Sequence, residues 1–173
     1  MLIAITMLNV IGMTVVLPVL PFVVARYVPD QSHLAVWVGI LETVNALCAF
    51  LVAPLFGGLS DRYGRRPVIV LAAFGAAIGF ATFGIGGSIW VLLAGRIIQG
   101  VTAGDMPALF AYAADITPAE ERAKRFGLLG ALSGIGFMIG PALGGLLAAI
   151  DIDLPVFVTA GIALLVAVLS FFF

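Results

Sequence analysis

The chain has 173 residues, of which 63% are hydrophobic and only 10% charged, with a net charge of −1. Soluble domains hold apolar residues, glycine included, at roughly half, so the bilayer is the solvent here, and no basic patch points to nucleic acid. A single cysteine, Cys48, and a single histidine, His33, exclude an intrachain disulfide and argue against zinc or Cys/His catalysis.

A helix crossing hydrocarbon takes about 20 mostly apolar residues, and the apolar runs and turn signals predict six, at 1–24, 34–57, 67–84, 89–112, 122–148 and 155–173. The first run lacks a basic N-terminal region and is too long for a signal segment, so it reads as a retained helix. YVPDQS at Tyr27–Ser32 ends it. GIGGS at Gly84–Ser88 parts the third span from the fourth. The architecture expected is therefore an all-α integral membrane bundle in which six spans bring both ends to one side.

Between the second and third spans lies GGLSDRYGRRPV, Gly57 to Val68. Gly64 permits a tight turn, Pro67 is expected to push Arg66 out of helical geometry and begin the next helix, and Asp61 among three arginines should stay ionised. Arg62, Arg65 and Arg66 here, with Arg122, Lys124 and Arg125, put six of the eight basic residues in two even-numbered loops, while odd loops hold only Arg26. The positive-inside rule then makes those loops and both termini cytoplasmic. That topology accounts for the charge of the second loop, not for its spacing.

Three ionisable residues fall inside predicted spans: Glu42, Arg96 and Asp105. Each costs about 2.5–3.5 kcal/mol even on the lenient insertion scale and needs a partner or a wet cavity. Glu42 and Arg96 lie at similar depth, roughly 10 Å from one membrane face, and can pair. Asp105 is roughly 13 Å further along its helix and nearly on the opposite face, so it should not pair with Arg96. Pro107 nearby frees a carbonyl, which suits a wall of protein or water. Asp105 is the first choice for a group that takes up and releases a proton, against a buried structural hydrogen bond or a solvated helix end. Asp115, in ADITP, reads as part of a surface loop.

Thr117-Pro118-Ala119-Glu120 has the form of a capping box that starts the fifth helix. It would place Glu120 with Lys124 and Glu121 with Arg125 as solvated i,i+4 pairs. Within that helix Gly136 and Gly140, followed by Gly144, form a GxxxG face for close helix packing. Pro141 removes one helical hydrogen bond.

The run Gly57, Leu59, Asp61, Arg62, Gly64, Arg65, Arg66 resembles the signature loop of the major facilitator superfamily. Arg96-Ile97-Ile98-Gln99-Gly100 looks like the family's R-x-x-Q-G motif. Gly136-Phe137-Met138-Ile139-Gly140-Pro141-Ala142-Leu143-Gly144-Gly145 is similar to the glycine motif of proton-coupled drug antiporters. Together with LPVLP at Leu17–Pro21, the chain looks like the N-terminal six-helix half of a tetracycline/proton antiporter. The resemblance implies two inverted three-helix repeats, 1–84 and 88–173, with a second six-helix half absent from this chain. It also implies a bacterial inner-membrane location and proton-coupled efflux of small amphipathic or hydrophobic compounds by alternating access, with Asp61 and Arg62 as gate residues and Arg96 at a position associated with proton transfer.

Two departures qualify it. Asn9 stands where those antiporters carry a first-helix aspartate, and Gly79 where another acid is expected, so their coupling scheme does not transfer intact. The expected partners are the lipid bilayer, protons, a small-molecule substrate, and a second half or a homodimer partner. No cofactor, metal site or phosphate-binding GxxxxGK[ST] loop is implied. Metabolite uptake and a non-transporting membrane scaffold are the competing readings. An enzyme has no Ser/His/Asp set or metal cluster to support it.

Overall fold

The computed structural model describes residues 2–172, which are helical with no strand among them. The predicted outer bounds of the first and last spans, Met1 and Phe173, lie outside the described residues. Eight α-helices follow in order among the described residues: α1 Leu2–Val15, α2 Leu20–Ala25, α3 Leu34–Tyr63, α4 Arg65–Ile85, α5 Ile89–Val101, α6 Asp105–Asp115, α7 Arg122–Ala148 and α8 Leu154–Phe172. Five stretches are long and apolar enough to cross a membrane, the first combining α1 and α2. The sixth pass is made by α5 and α6 in succession.

Two predicted spans are therefore broken where continuous helices are expected. In the first, Pro18 has no N–H to return to Thr14, so the turn tightens: Leu17 N–H bonds the Thr14 carbonyl at 3.3 Å and Val19 N–H that of Val16 at 3.1 Å. In the fourth, the helix stops at Thr102, whose hydroxyl donates back to the Ile98 carbonyl at 2.8 Å. It restarts at Asp105 after Ala103 and Gly104, which puts Pro107 third in α6, where a missing N–H costs nothing.

The predicted loop after the second span is instead almost all helix. α3 runs on to Tyr63, and Gly64 alone joins it to α4, at φ 93° and ψ 161°. Only glycine takes that positive φ readily. Arg65 and Arg66 lie inside α4, contrary to the expectation from Pro67, because that proline is the third helical residue and the N–H groups of the first turn have no intrahelical partner in any case.

The capping box is also not formed. The Thr117 hydroxyl donates to the Ala113 carbonyl at 2.6 Å, finishing the previous helix, and Arg122 Nε donates to the Thr117 carbonyl at 3.2 Å. A short 3₁₀ turn, Ala119–Glu121, leads into α7. Neither Glu120–Lys124 nor Glu121–Arg125 is among the ion pairs of the described residues.

Lipid tails are as apolar as leucine, so association between these helices rests on close packing and interhelical hydrogen bonds, not on removing carbon from water. α4 lies along α8 and α5, and α1 along α7 and α8. The α1–α7 crossing runs through the predicted glycine face. Gly136 sits against Val10, Gly140 against Thr14 and Ile11, and Gly144 against the backbone of Val15. The Thr14 hydroxyl, bonded to the Val10 carbonyl at 2.8 Å, also reaches that of Gly136 at 3.3 Å. Gly145 is outside the contact, with no neighbour where a side chain would go. α7 continues through Pro141 as one helix.

Two apolar clusters close the bundle. One, at the end carrying Arg65, gathers Leu2, Ile5, Ile69, Leu109, Leu129 and Val166; the other, at the opposite end, gathers Val19, Val23, Leu41, Phe83, Leu92 and Val156. α3 buries only Leu41 and Ser60, and α7 only Leu129 and three glycines. Those two helices present nearly bare flanks.

The α1–α7 crossing yields a direct test. Gly140→Val should destabilise the purified protein by about 1–3 kcal/mol, the usual cost of overpacking, whereas Gly145→Ala should stay within about 0.5 kcal/mol. Thermal unfolding in detergent measures both, and equal values would show that α1 and α7 do not meet along this face.

Candidate functional site

Between the two apolar clusters is a cavity of about 290 Å³, walled by α1, α3, α4, α5, α6 and α8. Asn9, Glu42, Arg96 and Asp105, on four different helices, all line it. Both helix breaks open onto it as well, through Val16 and Leu17 on one side and Thr102 and Ala103 on the other. Irregular backbone is tolerated at membrane depth where it faces such a space.

Arg96 organises one end of the cavity. Its side chain is 8% exposed, and its Nη2 lies 2.8 Å from Glu42 Oε1. Nη1 donates to Gln99 Oε1 at 2.9 Å, and the guanidinium carbon sits 5.0 Å from the centre of the Phe83 ring. Planar, charged and rich in donors, the group draws on an ion pair, an amide and a π-face together. Asn45 Nδ2 donates to the Arg96 backbone carbonyl at 3.0 Å, tying α3 to α5. Glu42, at 45% exposure, faces the open side.

Asp105 occupies the other end. It accepts a hydrogen bond from Asn9 Nδ2 at 2.5 Å and makes no pair with Arg96. It is also the first residue of α6, where a carboxylate is favoured by the positive end of the helix dipole. The sequence foresees the separation of Asp105 from Arg96 and misses its partner. The Asn9 contact joins residues 96 positions apart, which only tertiary packing can reveal.

The signature-motif residues form a second group, at the end of the bundle. Arg65 Nη1 reaches Asp61 Oδ1 at 2.5 Å and Ser60 Oγ at 3.1 Å, while its Nε holds Asp115 Oδ2 at 3.0 Å. Asp115 is thus the last helical residue of α6 and an ion-pair partner, not part of a free loop. Arg66 Nε donates to the Ser170 carbonyl near the end of α8 at 3.0 Å. Arg62 lies over Tyr63, 5.3 Å from its ring, and Gly57 is exposed on α3 with no neighbour at its Cα face. Asp61, Arg65 and Asp115 are brought together; Arg62 and Gly57 are not part of the cluster. The glycine motif on α7 belongs to neither group.

Sequence reasoning missed Asn45 and Ser60, and it named Gln99 only as a member of the R-x-x-Q-G motif, with no role of its own. For Gln99 a signal exists, since it follows Arg96 by one helical turn, the spacing at which side chains meet.

The Major Facilitator Superfamily model matches residues 2–173. The chain belongs to the major facilitator superfamily. Among similar proteins are the class C tetracycline resistance protein of Escherichia coli, 43% identical across 86% of this chain and 37% of its own length, and the class H protein of Pasteurella multocida, 39% identical across 97% of this chain and 42% of its own. Multidrug resistance protein 1 of Bacillus subtilis is 35% identical, with 92% of this chain and 40% of that protein covered. A crystal structure of the human organic anion transporter MFSD10 (TETRAN) superposes with a TM-score of 0.80 at 25% identity, over 96% of this chain and 45% of that one.

The chain thus spans well under half the length of the curated relatives it matches. It is an integral membrane protein of a transporter family, not an enzyme. Its architecture is one six-helix half of the major facilitator fold.

If the Asn9–Asp105 contact holds α1 to α6, Asn9→Ala and Asp105→Ala should be non-additive in a thermal-unfolding double-mutant cycle, by about 0.5–3 kcal/mol. Additive effects would show that the two side chains act separately.

Proposed function

We propose that this chain works as one half of a proton-coupled exporter of small amphipathic or hydrophobic compounds, moving them by alternating access. The observation that carries this reading is Asp105: a carboxylate held by the amide of Asn9 in a cavity that also contains a separately neutralised cation, Arg96. Among the described residues Asp105 has a neutral donor as its partner and no ion pair, the arrangement this reading needs of a group that exchanges a proton. Arg96 is paired with Glu42 at the far end of the same cavity. The names of the tetracycline and multidrug resistance relatives support export of a drug-like compound over metabolite uptake.

In this reading Asp61, Arg65 and Asp115 form the cytoplasmic latch, with Arg62 and Arg66 beside it. The α1–α7 glycine contact at Gly136, Gly140 and Gly144 sets how tightly the cavity is sealed on that flank. Helices α1–α4 and α5–α8 are the two inverted repeats, and both termini face the cytoplasm. The exposed flanks of α3 and α7 receive a second six-helix half or a second copy, a reading supported by the greater length of the relatives.

The deciding experiment is reconstitution in liposomes with an imposed pH gradient. Proton-linked movement of substrate should be lost in Asp105→Asn and retained in Glu120→Gln; transport that survives Asp105→Asn would defeat the coupling assignment. Crosslinking in the same membranes should capture a dimer or a complex with a second half through α3 or α7. A stable monomer that moves no compound would leave the chain as a scaffold.

A further inference from the structure

The cavity carries a polar group that neither the ion pair nor the proton site uses. Gln99 is 7% exposed and lines the cavity beside Arg96. Its Oε1 accepts from Arg96 Nη1 at 2.9 Å, yet its Nε2 has no hydrogen-bond partner, and neither has the neighbouring Arg96 Nε. Buried donors of this kind are ordinarily satisfied. The other cavity hydroxyls and amides are not in this condition: Thr102 and Thr159 donate to backbone carbonyls, Asn45 to Arg96 and Asn9 to Asp105.

Arginine has donors only, so it forces the amide to turn its oxygen inward and leaves the NH₂ as the free end. The stem of Gln99 is seated by Gly79, whose absent side chain leaves the space that the Gln99 Cγ fills. The remaining wall offers an apolar, deformable surface from Met13, Phe80, Met106 and Ile162, and methionines adapt to irregular shapes. Since Glu42 Oε1 lies in ion-pair contact with Arg96 Nη2 at 2.8 Å, the charge at this end is offset, while Gln99 Nε2 and Arg96 Nε remain as donors without a hydrogen-bond partner.

We propose that Gln99 is a specificity-determining residue of this cavity: its Nε2, oriented by Arg96, recognises a carbonyl, enolate or carboxylate oxygen on an apolar compound. The inference rests on the reading of the cavity as the transport site, and it deepens that reading by selecting oxygen acceptors over bare organic cations. Nε2 is buried in the state seen, and the broad final torsion of a glutamine side chain lets the NH₂ turn to meet an incoming oxygen.

The test is equilibrium binding of two labelled probes to the purified chain in detergent: tetracycline, a fused-ring compound with carbonyl and enolate oxygens, and tetraphenylphosphonium, an apolar cation with no acceptor. Gln99→Leu removes the donor. Gln99→Glu keeps the size and the bond to Arg96 while replacing the NH₂ by an acceptor, and so guards against a folding defect in the leucine variant. Both variants should weaken tetracycline binding about tenfold, equivalent to about 1.4 kcal/mol, and neither should weaken tetraphenylphosphonium binding. Unchanged tetracycline binding in Gln99→Glu, equal weakening of both probes, or a wild-type chain that binds only the cation would each overturn the proposal. The measurement needs no pH gradient, so it stands or falls apart from the proton-coupling test on Asp105.

Discussion

A guanidinium buried among apolar helices dictates the middle of this bundle. Arg96 can stay charged at that depth only if neighbouring helices come close enough to surround it. They do so through missing side chains. Gly95 meets the backbone of Gly79 on α4, and Gly100 meets the carbonyl of Asn45 on α3. Those approaches deliver Phe83 from one helix and Glu42 from another to the same cation. The charge demands the glycines, and the glycines fix the distances that give the cavity its polar end.

The two backbone breaks serve the same space. Val16–Val19, which contains Pro18, and Thr102–Gly104, three residues ahead of Pro107, interrupt the first and fourth passes. Proline alone does not explain them, because α7 passes through Pro141 and α3 through Pro54 without interruption. The difference lies in what each segment faces. The broken turns lie along the cavity, where irregular backbone is tolerated, whereas α3 and α7 keep their helical course and lose only the one bond that each proline removes. Apolar clusters at the two ends then hold the broken segments in place.

Much of this is legible in the sequence because the bilayer makes severe demands on it. Run length, the placement of arginine and the three motifs identify the number of passes and the family, and they bring Asp61, Arg65 and Arg96 into view. Counting depth allows the Glu42–Arg96 pair, and glycine spacing marks a face of α7 for close packing, though not α1 as the helix that meets it. What fails is local punctuation. Pro67 and Thr117 look like helix boundaries, yet proline in a first turn costs nothing and a threonine hydroxyl can serve the helix behind it as easily as the one ahead. Long-range choices of partner are hidden as well. Asn9 reads as a missing acid and proves to be the donor to Asp105, while Asp115 reads as loop and proves to bridge to Arg65.

Gly64 is both the end of α3 and the start of α4, so two helices of 30 and 21 residues share a single hinge residue. A connector that short stores no slack. Length variation among natural relatives, epitope insertion and proteolytic nicking are all confined to sites where the chain can bulge without dragging a helix. Here that means the stretch from Ile116 to Glu121, not the segment around Gly64, even though both lie at the same end of the bundle. Arg65, the first residue of α4, bonds back to Asp61 on α3 and across to Asp115 at the end of α6, so three helices are tied together within one turn of this joint.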